Sequence, residues 1–273
     1  MTKTNWHLGS DRRETNARGL NWRVGAAGLA LLVAACGGDD ATTNTAETGS
    51  NVAEAAAVAP VSTPPIPAPA GQQWTDVISA TPDGGFVMGN PDAPVKLVEY
   101  LSLTCSHCAD FAKTGVPALR DSYVKNGHVS LEVRNFVRDP VDYSAALLAR
   151  CGGPAAYFKL TEQLLGEQEA VLGRFQTMDQ PTQQRIGALP SAQQFAALAE
   201  FGGLDQFVRL RGIPGEKAKA CLLDPKAQQT LIDMRDKAVK DYELQGTPSF
   251  ILNGKKIDGA DWASLEPQIR EAL

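Results

Sequence analysis

The run Val95-Lys96-Leu97-Val98-Glu99-Tyr100-Leu101 is apolar at five of its seven positions and leads, after three intervening residues, into Cys105-Ser106-His107-Cys108. Such a run reads as a buried strand. Two cysteines separated by two residues at the head of a helix face the same way, close enough to share a disulfide or to remain a dithiol. Zinc ribbons use the same spacing but need a second pair to complete four ligands. The sequence has no second C-x-x-C, and no metal is expected. Far downstream, Gly246-Thr247-Pro248 stands directly before another strand-like run, Ser249 to Leu252. The two segments together read as a thiol-disulfide redox site that requires no cofactor.

Around these segments the chain alternates in type. Phe86 to Gly89 reads as a short strand before the turn Asn90-Pro91-Asp92-Ala93-Pro94. Thr104 is positioned to cap a helix that starts at the cysteines and runs to about Lys125, with Phe111, Val116, Leu119 and Tyr123 on or near its apolar face. Val129 to Val137 is the next strand, which makes a β-α-β unit and implies a parallel pair. From about Val141 to Gln245 strand signals are weak; Ala, Leu, Gln and Glu predominate, and Gly and Pro punctuate what read as several helices. Asn253-Gly254 marks a hairpin between Ser249–Leu252 and Lys255–Ile257, and a last helix covers about Asp261 to Ala272. No internal repeat is present.

This order resembles the DsbA-like branch of the thioredoxin superfamily, an α/β thioredoxin-like fold with a helical insertion. The resemblance covers about Gly85 to Leu273. It rests on Cys105 and Cys108 with His107 between them, on Thr247-Pro248, on the insertion at about 141–245, and on Glu99 in the strand before the site. It implies that Pro248 is a cis-proline facing the cysteines, and that Glu99 is a buried acidic residue serving Cys108 as base and relaying its proton. It also implies that a membrane quinone-linked protein reoxidises the pair. Ser106 stands where similar proteins often carry proline, which leaves His107 in place and removes a backbone constraint.

The residues themselves assign chemistry to the two thiols. A helix N-terminus presents unsatisfied N–H groups and the positive end of the dipole, so Cys105 is expected to be the nucleophile, held as a thiolate with help from His107. Cys108, a turn further in, is expected to be the resolving thiol. A stabilised thiolate is a good leaving group, so the pair leans toward donating disulfides. A cis bond before Pro248 would let the Thr247 backbone pair with an extended client segment.

Compartment follows from the N-terminus. Met1 to Arg23 is polar and basic, and Val24 to Ala35 is small and apolar, the pattern of a secretory signal. That apolar run is shorter than the roughly 20 residues of a membrane span. It ends in Val33-Ala34-Ala35-Cys36, which resembles the lipobox of bacterial lipoproteins and makes Cys36 the expected lipid attachment site. Removing residues 1–35 leaves 21 basic against 29 acidic residues, a balance that argues against nucleic acid as a partner. Residues 36–73, without Lys, Arg or aromatic side chains from Gly37 to Gln73 and proline-rich at the end, read as a disordered tether to a domain spanning 74–273. The protein is thus expected on the periplasmic side of a bacterial membrane, lipid-anchored or else soluble, as a monomer acting on exported proteins with free thiols.

An oxidising compartment also gives Cys151 and Cys221, at either end of the insertion, a role as a structural disulfide. Donation of disulfides is the leading function. A disulfide isomerase or reductase, and a non-catalytic peptide-binding lipoprotein with a static Cys105-Cys108 bridge, are the alternatives.

Overall fold

The structure, a computed structural model, describes residues 63–273. The signal segment, Cys36 and most of the tether lie outside the described residues. Six strands, β1 (Ile78–Ala80), β2 (Phe86–Met88), β3 (Val95–Leu101), β4 (Val129–Asn135), β5 (Ser249–Leu252) and β6 (Lys255–Ile257), form one mixed sheet in the order β1-β2-β4-β3-β5-β6. The central pair, β3 with β4, is parallel, and the other pairings are antiparallel. A parallel pair needs a crossover, which α1 (Ser106–Leu119) supplies together with a π-helical turn at Arg120–Val124. Val95, Leu97, Tyr100 and Leu101 are all buried, so β3 has apolar groups on both faces, as a strand covered on both sides must.

The insertion consists of eight helices: α2 (Pro140–Cys151), α3 (Pro154–Gly166), α4 (Gln168–Gln176), α5 (Gln180–Gly187), α6 (Ser191–Phe201), α7 (Leu204–Arg209), α8 (Gly215–Leu223) and α9 (Pro225–Tyr242). Helix α2 is nearly all buried because α3, α6, α7, α8 and α9 surround it. Its apolar residues join the core beneath the sheet in one continuous cluster. A smaller cluster, in which Tyr100, Phe136 and Ile251 meet Ala238 and Leu244, packs α9 and the chain after it on the opposite face. The C-terminal α10 (Trp262–Glu271), capped by Asp261, lies beside α1.

Three local differences from the sequence reading have physical causes. Thr104 is not the cap of α1: the N-cap is Cys105, and the Thr104 hydroxyl instead donates to Asp139 Oδ2 at 2.6 Å. Strand β1, with only half-buried or exposed residues at the sheet edge, has no apolar alternation to announce it. The proline-rich end of the expected tether is in contact with the domain. Ile66 N–H donates to the Asn126 carbonyl at 2.9 Å, and the Ile66 carbonyl accepts from Trp74 Nε1 at 2.8 Å. The Trp74 ring sits where Gly127 has no side chain, at φ +79°, and a Cβ there would collide with it. Hydrogen bonds to its backbone, invisible in composition, hold this segment in place of apolar burial.

Candidate active site

The short link Ser102–Thr104 carries the chain from β3 to Cys105, and three side chains brace it from the insertion. Asp142, wholly buried at the start of α2, accepts the Leu103 N–H on Oδ1 at 2.8 Å and the Arg138 N–H on Oδ2 at 3.0 Å. Asp139 caps α2 and takes the Thr104 hydroxyl. Gln168, at the first position of α4, donates from Nε2 to the carbonyls of both Leu103 and Cys105, at 2.8 and 3.0 Å. Burial holds the Asp142 carboxyl at about 7, well above the usual range, even though the Ser102 side chain and the two N–H groups favour its anion.

Cys105 occupies the N-cap of α1 with extended backbone, so the first free N–H groups of the helix open beside its sulfur. The structure holds Cys105 and Cys108 as separate thiols, both buried. A hydrogen bond from Cys108, then the Cys108 backbone and the Arg138 charge favour the Cys105 anion against burial, which opposes it. The balance lowers this thiol to about 5. Cys108 moves the other way: its bond to Cys105, its burial and the neighbouring Glu99 all push it far above an ordinary thiol.

Glu99 lies on β3 beneath the cysteines and is 2% exposed. Burial first, and the charge of Cys105 second, raise its carboxyl to about 8, so it carries a proton at neutral pH. On the neighbouring strand, β5 follows directly from Thr247-Pro248, whose peptide bond is cis. The turn brings the Thr247 carbonyl within 3.1 Å of Cys105 Sγ, where it accepts from the thiol. Cys105, Cys108, Glu99, Thr247 and Pro248 are thus assembled at one end of the sheet. His107 is exposed on the first turn of α1 and makes no side-chain hydrogen bond among the described residues. Cys151 and Cys221, 70 residues apart, are joined by a disulfide that ties α2 to α8.

The bracing residues Asp139, Asp142 and Gln168 were not singled out in the sequence. Asp139-Pro140 is a readable helix start, with an acidic cap and proline at the first helical position. Nothing marks Gln168 among the many glutamines of the insertion; only the fold gives it two carbonyls to bind.

A dithiol at a helix N-cap, set against a cis-proline on a mixed sheet, defines a thioredoxin-like protein. Residues 81–271 match the thioredoxin family, and the chain belongs to it. A crystal structure named as protein-disulfide isomerase from Novosphingobium aromaticivorans is 34% identical, with a TM-score of 0.64 over 67% of this chain and 94% of that one. The fold also matches alpha-DsbA1 of Wolbachia pipientis, at 19% identity and a TM-score of 0.56 over 71% of this chain and 92% of that one. In sequence, a Rickettsia bellii protein named as a protein-disulfide oxidoreductase is 28% identical over 194 residues, which is 70% of this chain. This chain spans 65% of that relative's length. Among the described residues no helix is long and apolar enough to cross a membrane.

Proposed function

We propose that this protein is an exported thiol-disulfide oxidoreductase that donates disulfides to other exported proteins, held at the membrane through a lipid on Cys36 after loss of residues 1–35. The observation that carries this reading is the opposed state of the two thiols: Cys105 is lowered to about 5 beside a cis-proline, and Cys108 is raised and buried behind it. A thiol that ionises so readily leaves readily, which makes the disulfide form oxidising.

In the reaction, a client thiolate attacks Cys105 Sγ of the Cys105-Cys108 disulfide. A bond forms between client sulfur and Cys105, and the bond to Cys108 breaks with its electron pair left on Cys108 Sγ. The protonated Glu99 carboxyl supplies the proton that this buried sulfur needs. A second client thiolate then attacks the client sulfur of the mixed disulfide and releases Cys105 as a thiolate. The client has lost two electrons and gained a disulfide; the protein holds them as a dithiol until a membrane quinone-linked partner removes them. Thr247 presents backbone groups to an extended client segment, and exposed His107 faces incoming substrate. The protein works as a monomer and uses no organic cofactor.

Oxidative refolding of a reduced client tests the reading. Cys105→Ser is expected to abolish the reaction, whereas full activity without that thiol would leave only a peptide-binding lipoprotein with a static bridge. A second reading, disulfide isomerase, is favoured by the likeness to the 34% identical Novosphingobium protein, which is named as one. Equilibration of the Cys105-Cys108 pair with glutathione separates the two: an oxidising value supports donation, and a strongly reducing one supports isomerisation or reduction.

A further inference from the structure

A groove of about 760 Å³ runs from Ser106, the residue after Cys105, down the side of α1 and between it and the α3-α4 corner. Its floor is apolar, with Leu165 and the partly exposed Leu172, and Gln168 closes the end nearest the site. Its rim is not apolar. Asp110 on α1, Glu162 on α3 and Glu169 on α4 are exposed and line the groove, against the single cation Lys113. None of the four makes an ion pair among the described residues, although exposed carboxylates elsewhere, such as Glu167 and Asp241, do pair with Arg211 and Lys237. Three carboxylates against one ammonium leave a net negative rim around an apolar channel, which attracts the opposite charge and repels its own, and the channel starts at Ser106, next in sequence to the reactive cysteine.

We propose that this groove selects client segments: it takes the chain flanking the client cysteine and favours segments with Lys or Arg close to that cysteine. This rests on the redox reading above and names the substrate class of the same site. Along α1, Asp110 is four residues beyond Ser106, about 6 Å at the helical rise. An extended client covers that distance in about two residues. The basic side chain therefore belongs two to four residues from the client cysteine, with its alkyl stem on Leu165 and Leu172 and its charge among the three carboxylates.

The test compares three single-cysteine peptides that differ only at the residue three from the cysteine, which is Lys, Gln or Glu. Each, in excess, reduces the disulfide form of the full protein in stopped flow at low and high salt: one peptide thiolate forms the mixed disulfide with Cys105 and a second releases it as a peptide-peptide disulfide. Every rate is divided by the same preparation's rate with dithiothreitol, a neutral thiol too small to fill the groove, so that folding and general redox reactivity cancel. At low salt the Lys peptide should react about tenfold faster than the Glu peptide, with Gln between, and the spread should collapse at high salt. A triple variant, Asp110→Asn with Glu162→Gln and Glu169→Gln, should also collapse it. Asp233→Asn with Asp236→Asn, two exposed acids on α9, should keep it. Equal normalised rates for Lys and Glu, or an equal collapse in the α9 variant, overturn the groove proposal while leaving the redox reading intact. No reaction with dithiothreitol or any peptide overturns the redox reading itself.

Discussion

Cys105 Sγ and the Thr247 carbonyl oxygen lie 3.1 Å apart although 142 positions separate them in the chain. Helix α1, β4 and the whole insertion fill that interval, yet β3 and β5 are adjacent antiparallel strands, with Tyr100 opposite Ser249. Cys105 follows the end of β3, and Thr247 precedes the start of β5. Strand pairing therefore sets the two halves of the site face to face, and the cis bond to Pro248 turns the Thr247 carbonyl toward the sulfur.

Cys105 should titrate near 5 in the reduced protein. Its folded value is below the ordinary thiol value, so the stability it lends the dithiol form is full above about pH 9 and is lost as pH falls through about 5. Thiolate absorbance of the reduced protein, with Cys105→Ser as blank, reads the midpoint directly. Melting temperatures of the reduced and disulfide forms should diverge from pH 5 to 9 in favour of the reduced form. A midpoint above 8 removes the basis for disulfide donation.

Glu99→Gln should stabilise the protein and slow it. The Glu99 carboxyl is raised from 4.5 to about 8, so the folded chain keeps a proton that the unfolded chain releases, and stability from this group falls as pH rises across that window. Glutamine removes the fall. The variant should melt higher than the parent at pH 8, with the gap closing toward pH 4.5, while client oxidation slows by on the order of tenfold to a hundredfold for want of the proton donor. An unchanged single-turnover rate would take Glu99 out of the reaction.

Removing the Cys151-Cys221 disulfide closes no catalytic route but frees a long loop in the unfolded chain. For the 70-residue separation the chain-entropy cost is about 4 kcal/mol. The double variant Cys151→Ser, Cys221→Ser should show that loss in denaturant unfolding while the pair at the active site still reacts with dithiothreitol at the parent rate. Equal unfolding midpoints would mean that the bridge contributes nothing.

How much of this was legible in the sequence differs by element. Strands β3 and β5 and the helix between β3 and β4 could be read because their signals are local: apolar runs, a C-x-x-C, and Asn253-Gly254 with φ of +48° and +82° at the turn. The pairing of thiols with Thr247-Pro248 came through resemblance, since no local pattern links positions so far apart. The sequence points to Thr104 as the cap of α1 because Thr is the better cap by type, whereas in the fold its hydroxyl is drawn to Asp139 and a cysteine takes the cap position. Residues whose function is to fill a hydrogen bond across the fold, as Asp142 does for Leu103 and Arg138, carry no sequence signature beyond being polar.

Gln168 gives the sharpest case. It is the one side chain of α4 that reaches the nucleophile's own carbonyl, and the same Nε2 also holds Leu103. Gln168→Leu keeps much of the volume but takes Nε2 away from two carbonyls in a buried setting, of which that of Cys105 keeps the Ala109 N–H at 3.1 Å, at a cost of about 1–3 kcal/mol. Because Cys105 is the N-cap of α1, loosening its carbonyl also loosens the alignment of the helix N-terminus with the sulfur. The variant should therefore melt lower and, in the same preparation, titrate Cys105 at a higher pH than the parent. Gln168→Asn, a donor too short to reach, should behave like Leu. A lowered melting point with an unmoved thiol midpoint would make Gln168 a packing residue only, whereas a shift in both ties the insertion to the reactivity of the sulfur.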